Sequence, residues 1–228
     1  MSFSRPGGTW TSGSITEVTE ALLRLGGCPT TDDLVRETGL QPVAIARHLQ
    51  DLAPSGGLEP LGDGACVTGK ALLAAYSIRL GADPYRVSRL LSWRDFEALA
   101  ASALEEAGFE VSRNLRLPGK GGMEVDIVGV RGPYGVAVDC KRWSYRVSSL
   151  SRVAEAARAQ RARAERLASL WGSLGLPRAR LIVPALLVLR EDLPKVVEGV
   201  AVVPAISLRG FIQEIEAVAE EIGVRVPG

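Results

Sequence analysis

Asp139 and Lys141 stand two residues apart in Val136-Ala137-Val138-Asp139-Cys140-Lys141. Side chains two apart in an extended strand share a face, so a carboxylate and an amine leave this apolar stretch toward one place. Asp126 lies on a second apolar stretch one short turn earlier, and Glu97 sits on the flank of a helix-patterned segment before it. Charges on an apolar strand cost free energy unless they are paired or bind a metal. Two carboxylates and a lysine at adjacent strand ends suit Mg²⁺, with Mn²⁺ able to substitute, and an activated water, the equipment for cutting a phosphodiester. In this reading Asp126 and Asp139 are the metal ligands and Glu97 completes the shell directly or through water. Lys141 orients the water and stabilises charge on the phosphate. The competing structural reading is a partly exposed ion pair between Lys141 and one of the aspartates.

The elements that must position these groups are legible from periodicity. A helix is expected over 93–107, with Phe96, Leu99, Ala100 and Ala103 inward and Glu97 on the flank. A strand over 109–117 follows, then a loop over 118–122 beside the site. Strands over 124–131 and 134–141 are joined by Gly132-Pro133, a tight turn that implies an antiparallel hairpin. A helix over 147–172 comes next, then strands over 179–189 and 200–206 and a last helix over 207–222. In the long helix Gln160 interrupts an apolar stripe of Val153, Ala157, Ala164, Leu167 and Trp171. A buried glutamine needs partners, and either the active site or a strand carbonyl supplies them.

The first half is patterned differently. Residues 1–14, rich in glycine and serine, form an expected tail. Residues 15–80 read as a winged helix-turn-helix domain. Helix 16–25 comes first, a capping box of Thr30 with Asp33 starts a second helix, and Pro42 opens a third. Ile45, Leu49 and Leu52 are that helix's inner stripe, with Gln41, Ala44, Arg47, His48 and Asp51 outward. Two short strands around Gly62-Asp63-Gly64 would be the wing. Residues 81–92 are expected to link this domain to the second, 93–228.

The ordered set Trp93-Arg94-Asp95-Phe96-Glu97, Glu106-Ala107-Gly108-Phe109-Glu110-Val111, Gly121-Gly122-Met123-Glu124-Val125-Asp126 and Asp139-Cys140-Lys141-Arg142-Trp143 resembles the PD-(D/E)xK nuclease superfamily, most closely its Mrr-type branch. Val125 replaces the motif's proline, and Asp139 stands where Mrr-like sequences usually carry glutamine or glutamate. The resemblance implies an α/β fold with a mixed sheet, a restriction-endonuclease-like αβββαβ core behind a small winged helix. It further implies a Mg²⁺-dependent DNA endonuclease that commonly works as a homodimer. Relatives often place a polar residue of the long helix near the site, which makes Gln160 a catalytic candidate. A Holliday junction resolvase uses the same fold and similar groups, and a non-catalytic DNA-binding regulator is the reading from another class.

Composition sets the bounds. The 228 residues are 46% hydrophobic and 23% charged, ordinary for a globular chain. The longest apolar run, Leu181 to Leu189, contains Pro184 and is too short to cross a membrane, and the first residues lack a secretory signal, so a cytoplasmic protein is expected. Residues 1–90 hold 8 basic and 9 acidic side chains, whereas residues 141–180 hold 10 and 2. A net +8 directly after Lys141 suits phosphate backbones. Arg142, Trp143, Tyr145, Arg146, Arg152 and Arg163, with Lys120 in the loop and Arg47 on the third helix, are the expected DNA contacts. The three cysteines form no CxxC spacing, so neither a zinc site nor a disulfide framework is indicated. A Cys28–Cys66 bridge stays open, since intracellular disulfides occur in hyperthermophiles. His48 is the single histidine, expected on the surface, and histidine-dependent mechanisms are excluded.

Overall fold

The computed structural model describes residues 12–119, 122–141 and 150–227. The chain divides into two units, Met1–Leu90 and Leu91–Gly228.

In the first unit α1 (Ser12–Leu25), α2 (Thr31–Thr38) and α3 (Pro42–Leu52) precede a two-stranded antiparallel sheet of β1 (Leu58–Leu61) and β2 (Gly64–Val67), then α4 (Lys70–Arg79) and α5 (Pro84–Ser88). The capping box forms as read. Thr30 Oγ1 accepts from the Asp33 N–H at 3.2 Å, and Asp33 Oδ2 accepts from the Thr30 N–H at 3.0 Å, satisfying two donors that a helix start leaves open. The expected outward position of His48 is corrected. Ile45, His48, Leu49 and Leu52 are all buried, at spacings that follow one helical stripe, whereas Val43 and Arg47 are exposed.

The segment after α1 lies beside β2 and is tied to it by two backbone hydrogen bonds. The Ala65 N–H donates to the Pro29 carbonyl at 3.2 Å and the Val67 N–H to the Gly27 carbonyl at 2.7 Å. Cys28 and Cys66 face each other between these bonds and form a disulfide, so this unit does carry a covalent staple. Gly64, at φ 113°, fits the crossing because a Cβ there would sit 2.2 Å from the Pro29 carbonyl oxygen.

The second unit opens with α6 (Trp93–Glu106). Its start is fixed by Asp95, whose Oδ2 accepts from the Ser92 N–H at 2.5 Å and from the Ser92 hydroxyl at 2.8 Å. Phe96, Ala100, Ala103 and Leu104 are buried and leave Glu97 at the edge. There follow β3 (Glu110–Arg116), β4 (Glu124–Arg131), β5 (Tyr134–Cys140), α7 (Leu150–Leu170), β6 (Leu181–Val188), β7 (Val196–Val197), β8 (Val200–Pro204), α8 (Leu208–Gln213), α9 (Ile215–Ile222) and β9 (Val224–Arg225).

The strands form one mixed sheet in the order β3-β4-β5-β6-β8-β7, with β9 on β6. The β4–β5 hairpin is antiparallel, and β5, β6 and β8 run parallel. Buried on both faces, β6 reads as an unbroken apolar run, as central parallel strands do. The apolar stripe is buried as expected, Val153 and Ala157 of α7 against β6 and β8, and Leu167 of α7 and Trp171, in the turn just past it, with β4 and β5. The last helix is corrected: Glu214 divides it into α8 and α9. The strands β7 and β9, two residues each, were too short to leave a periodic signal. No helix among the described residues is long and apolar enough to cross a membrane.

Candidate active site

The hairpin builds the site by coming apart. Residues of β4 and β5 pair from Arg131↔Tyr134 to Ile127↔Val138, and the next pair in this register would be Asp126 with Asp139. There the ladder stops, and the Asp126 carboxylate takes the Cys140 N–H instead, Oδ2 accepting at 2.8 Å. On the other side of β4 the pairing with β3 runs from Glu110↔Val130 to Arg116↔Glu124 but skips the position opposite Asp126. That position is Asn114, at φ 53°, in the left-handed region that asparagine tolerates better than most residues. The sheet thus ends at Asp126 on the β5 side and skips this one position on the β3 side, while Asp139 stays anchored to β6 through Asp139↔Leu186.

A cleft of about 630 Å³ lies at this opening, walled by Glu97, Asp126, Asp139 and Lys141 with Glu124, Met123, Trp93 and Arg163. Asp139 is 5% exposed, yet each of its oxygens faces a cation. Lys141 Nζ is 2.8 Å from Oδ2, an ion pair outside hydrogen-bond alignment, and Arg163 Nη1 donates to Oδ1 at 3.2 Å. The same Nη1 donates to Gln160 Oε1 at 3.2 Å, and Gln160 Nε2 donates to the Ala137 carbonyl of β5 at 2.8 Å. Gln160 is fully buried. It ties α7 to β5 and fixes Arg163 over the carboxylate, so its reach into the cleft goes through Arg163.

Electrostatically the cleft has two sides. Around Asp139 the acid is matched by Lys141 and Arg163. Around Asp126 and Glu97 burial and neighbouring acids outweigh the nearby cations, Lys141 and Arg163 at Asp126 and Arg94 and Arg113 at Glu97. Burial first, then the neighbouring Asp126 and Glu124 carboxylates, push the Glu97 carboxyl above its ordinary range. Burial likewise raises Asp126, against the Cys140 N–H that lowers it, with Asp139 raising it further. Glu124 has its own partner, Arg116, at 3.2 Å. Cys140 is 7% exposed and its thiol is pushed far up by burial, so it stays protonated and packs. Among the described residues, no three His, Cys, Asp or Glu side chains converge as a ready-made metal cluster. The hard oxygens of Asp126 and Asp139 at adjoining strand ends still fit Mg²⁺, which takes one or two protein carboxylates and keeps waters for the rest.

Glu97, Asp126 and the pair Asp139 and Lys141, chosen from sequence on three different elements, therefore come together at one cleft. Arg163, read as a DNA contact on a helix flank, lines the same cleft and pairs with Asp139. Its place one turn after a buried glutamine was the available signal. Trp93 and Met123 also wall the cleft, and nothing in their spacing marked them. Arg152 and Arg47 are exposed, on α7 and α3. Lys120, Arg142, Trp143, Tyr145 and Arg146 lie outside the described residues.

The restriction endonuclease family model Mrr_cat matches residues 88–169, a span that holds α6, the hairpin and most of α7. This supports the restriction-endonuclease-like superfamily for that part of the chain and points to a nuclease-type function. Among solved structures, protein VC1899 from Vibrio cholerae aligns over 94% of this chain and 59% of its own, at 10% identity and a TM-score of 0.33. The chain thus spans 59% of that protein's length. No curated protein matches it.

Proposed function

We propose that this chain is a metal-dependent DNA endonuclease of the Mrr type, hydrolysing phosphodiester bonds, with its first unit a winged helix that selects or positions the substrate. The observation that carries the reading is the break in the β4–β5 ladder, which leaves Asp126 and Asp139 at one cleft with Lys141. An ion pair kept only for packing would not call for a ladder that stops beside it, nor for Glu97 and Asp126 held where burial and neighbouring acids outweigh the nearby cations. Asp126 and Asp139 would hold Mg²⁺, and Glu97 would reach its water shell. The bound ion would supply an acidified water and a countercharge for the phosphate.

The chain's own groups do the rest. Lys141 and Arg163 carry fixed positive charge at the cleft and stabilise the extra charge that builds on phosphate oxygens in the transition state. Gln160 is a positioning residue that holds Arg163. Cutting both strands of a duplex with one cleft per chain would take two copies.

The test uses purified protein and plasmid DNA. With Mg²⁺ or Mn²⁺ the DNA should be nicked or cut, and Asp139→Asn or Lys141→Ala should lower the rate by at least about a hundredfold, the scale of losing one group that stabilises the transition state. Cleavage that persists in EDTA, or in both variants, would remove the site from the reaction.

A further inference from the structure

Trp93 and Met123 are 50% and 43% exposed although both wall the cleft that holds the carboxylates. Among the described residues Trp93 is the one aromatic side chain in the set of large exposed hydrophobics. An indole left half in water forgoes part of the burial energy that such a side chain can supply, so its place at a charged cleft needs a partner. Arg94 stacks on the ring, its guanidinium carbon 5.2 Å from the centroid, and adds positive charge beside an apolar plane.

Size points the same way. A divalent ion with a full shell of waters occupies on the order of 200 Å³ at about 30 Å³ per water. The cleft measures about 630 Å³. There is room beyond the ion and a phosphate for a flat group attached to that phosphate. In nucleic acid that group is the base, and a cation–indole stack is the surface on which a base lies.

Resting on the nuclease reading, we propose that Trp93, backed by Arg94 and with Met123 beside it, is a stacking site for an unpaired base next to the phosphate to be cut. The substrate class is therefore DNA with an unpaired nucleotide at the cleavage point: single-stranded, gapped, flapped or extruded. In intact duplex both faces of each base are already covered by neighbours, and the indole has nothing to stack on.

The experiment compares Trp93→Phe with Trp93→Leu, two apolar replacements of which one keeps an aromatic plane. Binding of a labelled single-stranded oligothymidylate and of a blunt duplex of equal length is measured by fluorescence anisotropy in Ca²⁺, and folding is checked by thermal melting. The Phe variant should keep single-strand affinity within about threefold, and the Leu variant should lose about tenfold with duplex affinity unmoved. Equal single-strand affinity in the two variants, or equal losses on both DNAs, would overturn the stacking site. Wild-type protein that cuts neither DNA in Mg²⁺ while the Phe and Leu variants still differ in binding would instead overturn the nuclease reading and leave the stacking site standing.

Discussion

At the scale of single residues, the cleft is assembled by a shared strand face and a fixed hairpin register. Asp139 and Lys141 meet because a strand has period two, and the structure puts Nζ 2.8 Å from the carboxylate. Asp126 meets them because a two-residue turn fixes the hairpin register. Arg163 was legible as a cation on the helix flank but not as the partner of Asp139, because that contact crosses from helix to strand and depends on how α7 lies over β5. His48 was misplaced although Ile45 and Leu49 beside it were read correctly, since a lone polar residue on an apolar stripe looks like the stripe's edge. Its burial has a consequence for pH. Burial lowers its pKa most, the Arg47 charge also lowers it, and Asp51 Oδ2, 3.9 Å from Nδ1, raises it. With the folded value below the ordinary one of about 6.5, the unfolded chain takes up a proton first as pH falls. Stability of the first unit is then fully present above about pH 6.5 and is lost as pH drops below it, by at most about 1.4 kcal/mol per unit. Denaturant melts across this range should show that slope, and His48→Gln should flatten it. An unchanged slope would place the titration elsewhere.

At the scale of elements, caps and turns carried most of what could be read. Thr30 with Asp33 and the Gly132-Pro133 turn fixed α2 and the hairpin. Ser92 with Asp95 follows the same rule and sets the start of α6, and with it the placement of Trp93 and Glu97. The opening of the sheet was not legible, because it rests on Asn114 at positive φ and on a carboxylate replacing a ladder bond, neither of which has a periodic signature. The disulfide was left open for a similar reason: nothing in the spacing of Cys28 and Cys66 says that the stretch after α1 pairs with β2. The bridge closes a loop with a sequence separation of 38, for which restricting the unfolded chain stabilises by about 4 kcal/mol. Reduction with dithiothreitol, or Cys66→Ser, should lower the melting temperature of the first unit by on the order of 20 °C in calorimetry. A transition that does not move under reductant would show that the bridge carries none of that stability.

At the scale of the whole chain, charge is less available than the sequence suggests. Of the positive charge in residues 141–180, Arg158 pairs with Glu198, Arg161 pairs with Glu165 and also donates to the Gly199 and Ile222 carbonyls, Arg163 pairs with Asp139, and Arg180 pairs with Glu220. Much of it therefore stitches the second unit together. The first unit, with 8 basic against 9 acidic side chains through residue 90, offers no broad attraction for phosphate either. Substrate choice then depends on specific contacts, and the division at Leu90 allows their origin to be tested. The second unit has its own buried core and the whole cleft, so a fragment spanning Leu91–Gly228 should melt cooperatively and keep metal-dependent cleavage. If the first unit selects the DNA, the fragment's rates on linear, methylated and four-way-junction substrates should converge to within a few fold while those of the full chain remain apart. If both proteins prefer the junction and cut it in symmetric pairs, selectivity resides in the second unit and the resolvase reading replaces the Mrr-type one. A folded fragment that cuts nothing while the full chain cuts would show that the first unit contributes to the chemistry itself, which the placement of all the candidate groups in the second unit argues against.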